Sequence, residues 1–134
     1  IIEPIWFLLL HARLIAREDI AKANQLLTYV FNQNKEERSV DLNLDILETL
    51  VHAGDYNFFL EVCDHSLTLI DHEDDFIDLL TLASDYFRCL DEEKIQEKID
   101  ALIAKRKSNT KVHFSSHDPD CALFRQIIGM SVAP

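Results

Sequence analysis

The sequence predicts an all-α fold, an α-solenoid of three antiparallel helix pairs with a short capping helix at its C-terminal end. Three observations carry that expectation. Asp19, Asp55 and Asp91 recur at intervals of 36 residues. Around each, apolar residues recur at helical spacing. Leu10, Ile46 and Leu82 match before the Asp, as do Leu14, Leu50 and Tyr86, and Ile15, Val51 and Phe87. After it, Ala23, Phe59 and Ile95 match, then Leu27, Cys63 and Ile99, then Phe31, Leu67 and Ile103. Finally, the 134 residues hold only two Gly and three Pro, with no Pro between Pro4 and Pro119. Sheets draw on Gly and Pro for their turns, and this chain lacks them.

The elements follow in order. The first pair is expected over residues 4–16 and 19–34, the second over 39–53 and 55–69, the third over 73–89 and 91–107. Each repeated Asp stands where an N-cap belongs, directly before the second helix of its pair. A lone helix pair cannot bury its apolar face, whereas successive stacked pairs share one core. The repeat region is therefore taken as 1–107, and 108–134 as a linker followed by a cap. In the latter, Asp118 reads as an N-cap, Pro119 as the first helical residue and Gly129 as the stop; Leu123, Phe124, Ile127 and Ile128 form one apolar stripe. That stripe either covers the last pair or docks on another protein. The first helix is apolar all round (Ile5, Trp6, Phe7, Leu8, Leu9, Leu10, Leu14, Ile15), the signature of a helix covered on every side. A preceding helix pair of a longer protein, the tail, a second copy of the chain giving a homodimer, or a partner could supply the cover. A chain that begins at Ile1 reads as a piece of a longer protein.

Leu79, Leu82-Ala83 and Tyr86 in the third unit, Gly54-Asp55-Tyr56 at the second turn, Ala23 in the first unit and Ser66 in the second resemble the tetratricopeptide repeat. The likeness spans about residues 4 to 107. It departs from the family at Phe59 and Ile95, where a small residue belongs, at the absent closing Pro, and in its period of 36. Large side chains at Phe59 and Ile95 are expected to widen the helix crossings. The resemblance implies a ligand groove lined by the first helix of each pair. Its residues would be Ile5, Leu8, Leu9, Ala12 and Ile15 in the first unit, Asp41, Leu44, Asp45, Glu48 and His52 in the second, and Ile77, Leu80, Thr81, Ser84 and Arg88 in the third. These sites lack the Lys and Asn with which familiar members grip a terminal carboxylate. An apolar or basic helix or extended segment suits them better, with Asp41, Asp45 and Glu48 at the rim.

The formal charge of −11 argues against nucleic acid and against anionic membranes as partners, since both require a cationic surface. The acid concentrates between Asp71 and Asp100, with eleven Asp and Glu against three Lys and Arg. It reads as a solvated helix surface or as steering for a basic partner. Cys63, Cys89 and Cys121 are three scattered cysteines without a CxxC, as expected for reduced thiols inside a cell, in cytoplasm or nucleus. His113, His117 and Cys121, and separately Cys63, His65 and His72, fall short of the four reliably spaced ligands of a structural zinc site; His65 reads as a surface group and Cys63 as core. No nucleophile motif, phosphate loop or dinucleotide fingerprint occurs, and no cofactor is implied. The expected function is therefore non-catalytic protein binding, as an adaptor or scaffold. The alternative is a regulatory domain that senses a small peptide.

Overall fold

The computed structural model describes residues 4–53 and 55–109. They form six helices, and no strand occurs among them: α1 (Pro4–Ile15), α2 (Ile20–Glu37), α3 (Val40–Ala53), α4 (Tyr56–Leu69), α5 (Glu73–Tyr86) and α6 (Glu92–Asn109). The chain divides into two compact units, Ile1–Leu69 and Ile70–Pro134. The six repeat helices are those the periodicity predicts. α2 runs three residues further than expected, and α6 continues two residues into the stretch read as linker. The C-terminal helix expected near 119–128, with Asp118, Pro119 and Gly129, and the residues His113, His117 and Cys121 lie outside the described residues.

All three repeated aspartates cap a helix. The Asp19 carboxylate accepts from Lys22 N–H at 3.0 Å, Asp55 from Phe58 N–H at 3.1 Å and Asp91 from Lys94 N–H at 2.9 Å. Their backbone carbonyls accept from Ala23, Phe59 and Ile95 N–H at 3.0, 2.9 and 3.0 Å. Each Asp thus satisfies a donor that a helix start would leave open, an effect of about 1 kcal/mol per cap. α3 starts on Ser39, whose hydroxyl accepts from Leu42 N–H at 3.2 Å. α5 begins after His72, which makes no side-chain cap; Glu73, Asp74 and Asp75 in its first turn instead favour the positive end of the helix dipole.

In the first unit α1 packs on α2, α2 on α3, α3 on α4 and α1 on α3; in the second, α5 packs on α6. The second helix of every pair keeps the repeat register inward. Leu27, Cys63 and Ile99 are fully buried, as are Phe31, Leu67 and Ile103, while Ala23 and Phe59 are buried and Ile95 half-buried. The backbones within a pair approach most extensively in α1–α2, less in α3–α4 and least in α5–α6. The pair with the small residue, Ala23, is the closest, as expected, but the order of the other two does not follow the size of Phe59 and Ile95. Ala12 on α1 and Ala16 just beyond its end, both buried, add to the close fit of the first pair.

The register fails in α1. Leu10 and Leu14 occupy matched apolar positions but are exposed, and the buried residues are Leu9, Ala12 and Ala16, one step out of phase. With only His11 and Arg13 as polar residues, α1 has no broad polar face to settle its rotation. The small side chains of Ala12 and Ala16 do so by permitting the closest approach.

A polar cluster runs through the core of the first unit. Asn34 Oδ1 accepts from Ser39 N–H at 2.9 Å, so its Nδ2 faces Ser39 O at 2.8 Å and Asn43 Oδ1 at 2.7 Å. Asn43 is thereby oriented with Nδ2 toward His65 Nδ1, 2.9 Å away. The His65 proton is accordingly on Nε2, and the imidazole is neutral. His65 is half-buried and edge-on to Phe31 at 5.3 Å, which corrects its reading as a surface group. Burial lowers its pKa below 6.5, and the Arg38 and Lys35 charges lower it further. Arg38, at the C-terminal end of α2, takes the left-handed conformation (φ 58°, ψ 40°), and its N–H returns to Asn34 O at 2.8 Å.

In the second unit the corresponding buried polar residue is Arg106. It donates from Nη1 to Ile70 O and lies over the Phe76 ring, 5.5 Å from its centroid. Burial lowers its pKa, while the charges of Glu73 and Asp71 oppose that shift. Asn34, Ile70 and Arg106 are spaced by 36 and are all buried.

Candidate functional site

In the first unit the expected groove residues separate into two hollows. Ile5 and Leu8, both half-buried, line a cleft of about 440 Å³ with Pro4 of α1 and Tyr29, Gln33 and Glu37 of α2. Glu48 and His52 of α3 line another of about 430 Å³ with Arg13, Leu14, Ala16, Arg17, Glu18 and Thr49. Leu9 is buried in the core and offers no surface to a ligand, a correction to its place in the expected groove. The out-of-phase rotation of α1 is the cause, since it turns Leu9 inward and Leu14 outward.

Asp41, Asp45 and Glu48 follow one another on α3 at spacings of four and three, and so share a face. Asp41 and Glu48 are exposed, and Asp45 and Leu44 half-buried. Arg13 of α1 reaches across to this row, with its Nη2 2.9 Å from Glu48 Oε2. Burial raises the Asp45 pKa; the Arg13 charge opposes the rise, and Glu48 and Asp41 add to it. The row is thus a partly neutralised acidic ridge. It presents acceptors to a cationic side chain, and Arg13 is the cation that a competitor would displace from Glu48.

In the second unit Ile77 is half-buried and Arg88 exposed, just beyond the end of α5. Leu80 is fully buried with Phe76, Leu79 and Ala83, which corrects its place among surface residues. Asp78 is exposed; partial desolvation of its carboxylate raises its pKa, and the charges of Asp75 and Asp74 add to the rise.

Arg13, Leu14, Arg17 and Thr49 were not among the expected site residues. The spacing of Arg13 and Arg17, one helical turn apart with no acid between Pro4 and Arg17, was the available signal. The Asn34–Asn43 pair was also missed. Asn34 stands three and seven residues after Phe31 and Leu27, on the buried stripe, where a polar residue must find a polar partner.

Among the described residues no group of three or more His, Cys, Asp and Glu could hold a metal ion, and no helix is long and apolar enough to cross a membrane. Cys63 is a buried free thiol and Cys89 an exposed one. The chain matches no family model, no curated protein and no solved structure.

Proposed function

We propose that this chain is a non-catalytic protein-binding module, an adaptor or scaffold segment of an intracellular protein, built as a degenerate tetratricopeptide-like solenoid. In this reading the α3 ridge receives an apolar or basic helix or extended segment. The carrying observation is the Asp41–Asp45–Glu48 row with Arg13 held 2.9 Å from Glu48. A row of carboxylates balanced by one displaceable arginine suits exchange for an incoming Lys or Arg, and gives selectivity against acidic partners. The three N-caps at 36-residue spacing support the repeat.

The test is binding of a labelled basic amphipathic peptide, followed by fluorescence anisotropy. Reversing Asp41, Asp45 and Glu48 together to Lys is expected to weaken binding at least tenfold. All three are exposed or half-buried, so the helical circular dichroism should persist. Unchanged binding after the triple reversal defeats the reading.

A second reading, a regulatory domain sensing a small peptide, draws on the cleft of about 430 Å³ lined by Arg13, Arg17, Glu18, Glu48 and His52. That volume falls within the range of small-molecule sites, and both charge signs line it. Saturable binding of a tetrapeptide, lost on Arg17→Ala but not on reversal of Asp41 and Asp45, which lie outside the cleft, would favour this reading over the first.

A further inference from the structure

The polar cluster of the first unit has a fixed direction. Ser39 presents its N–H and its carbonyl to Asn34, at 2.9 and 2.8 Å, and these two backbone groups set which end of the Asn34 amide is oxygen. Asn34 Nδ2 then donates to Asn43 Oδ1 at 2.7 Å, and Asn43 Nδ2 donates to His65 Nδ1 at 2.9 Å. Each step hands a donor to the next residue, so the chain ends on an imidazole nitrogen that must accept. A proton on that nitrogen sets two donors face to face. Turning the Asn43 amide moves the clash to Asn34, and turning Asn34 moves it to the Ser39 backbone. Asn34 and Asn43 are fully buried, so solvent does not reach them to relieve it.

The surroundings of the ring act in the same sense. Among the described residues the charges acting on it are those of Lys35 and Arg38, both cationic and both contributed by α2. α3 meets the ring with the uncharged Asn43, and Glu61 and Asp64 on α4 itself are exposed. Lys35 Nζ lies 5.1 Å from the centroid of the Phe31 ring, and His65 stands edge-on to that ring at 5.3 Å. Phe31 in turn meets Phe58 edge-on at 5.7 Å. Three rings thus join α2 to α4, and the cations beside them belong to α2. A positive charge on His65 is repelled by that side of the seam.

We propose that the Ser39–Asn34–Asn43–His65 chain is an acid-operated latch, in which protonation of His65 releases α4 from α2 and α3 and uncovers the Phe31 and Phe58 rings. Both rings are buried while the latch is closed. The closed form needs the neutral imidazole. Burial lowers the His65 pKa from 6.5, and the two cations lower it further. The latch is therefore closed above pH 6.5 and opens as pH falls through the lowered value. It sits where the first helix pair meets the second, and α1 contributes none of its members. The latch uses none of the α3 carboxylates, so it goes beyond the function proposed above and does not depend on it.

The test is an NMR titration of the intact chain from pH 8 to 4, with circular dichroism in parallel. His65 is expected to titrate below an exposed histidine in a model peptide. The Ser39 amide and the Phe31 and Phe58 ring signals are expected to shift with the same midpoint, while the helical circular dichroism is largely retained. His65→Gln keeps an acceptor for Asn43 at every pH and should abolish this shared transition. Asn43→Asp still accepts from Asn34 and offers its second oxygen to a protonated His65. It should raise the His65 midpoint by about 1 pH unit or more and hold the latch closed in acid. The proposal is overturned by a His65 midpoint at or above that of the model peptide, or by Ser39 and Phe31 signals that do not follow it. Persistence of the transition in His65→Gln overturns it too, as does an unmoved midpoint in Asn43→Asp. So does loss of all helical signal at the same midpoint, which is unfolding of the chain and not release of one helix. Should Asn43→Asp fail to fold, His65→Gln decides alone.

Discussion

α1 and α3 are the first helices of two successive repeats in one compact unit, and they have opposite relations to their surroundings. α3 buries Leu42, Asn43, Ile46, Leu47, Thr49 and Leu50, a broad arc that includes two polar side chains. α1 buries only Leu9 and Ala12, with Ala16 just beyond its end, and exposes Phe7, Leu10 and Leu14. Yet α1 is the more apolar of the two. Apolar composition sets how much surface could be buried, while the number of neighbouring helices sets how much is. α3 packs against α1, α2 and α4, whereas α1 packs against α2 and α3.

The sharpest probe of that contrast is the matched pair Leu50 and Leu14. Leu50→Ala should cost about 2–5 kcal/mol, because it empties a fully buried site. Leu14→Ala should stay within about 0.5 kcal/mol, as at other exposed positions. Urea unfolding of the two variants measures both. Equal costs would mean that the Leu14 face of α1 is already covered in the free chain.

Next in size is the polar cluster that makes α3 unlike α1. Asn34→Ala deprives Asn43 Oδ1 and Ser39 of their partner inside the core. The expected loss is about 1–3 kcal/mol in the same unfolding assay, since a buried polar group is left unsatisfied. The match of Asn43 in α1, Phe7, is apolar and exposed and should tolerate Phe7→Ala with little loss of stability.

The cluster also sets a pH dependence. The folded pKa of His65 lies below its unfolded value of 6.5, so the unfolded chain takes up the proton more readily. The associated stability is complete above pH 6.5 and declines as pH falls through the folded pKa. His65→Gln, which keeps an acceptor for Asn43, should flatten that decline. Asp45 and Asp78 have raised folded values, so each contributes stability at low pH that is lost as pH rises through its folded pKa. The two effects have opposite sign, so unfolding midpoints taken from pH 4 to 8 with and without His65→Gln tell them apart.

The N-caps should behave alike in all three repeats. Asp19→Ala, Asp55→Ala and Asp91→Ala are each expected to cost about 1 kcal/mol by thermal or urea unfolding. One substitution is expected to stabilise. Arg38→Gly relieves a side chain held at φ 58° and should stabilise by about 0.5–1 kcal/mol.

Much of the fold was legible in the chain before any coordinates. An Asp N-cap is a local signal, decided by hydrogen bonds to N–H groups three and four residues away. The three caps and the second helices they begin therefore follow from sequence alone. The core of those helices was legible too, because polar residues on their other faces leave one stripe to bury. The groove residues were less so. Leu9 and Leu80 were assigned to the groove by the family resemblance and are buried.

By itself, the sequence determined the six helices, their starts at Asp19, Asp55 and Asp91, and the inward stripe of each second helix. Only the tertiary structure decided the rotation of α1, the orientation of Asn34, Asn43 and His65, and the pairing of Arg13 with Glu48. Each of these depends on residues from different helices meeting in space. A helix apolar on all sides has no sequence signal for which side faces in, so close packing through Ala12 and Ala16 settles it and leaves Phe7, Leu10 and Leu14 on the surface.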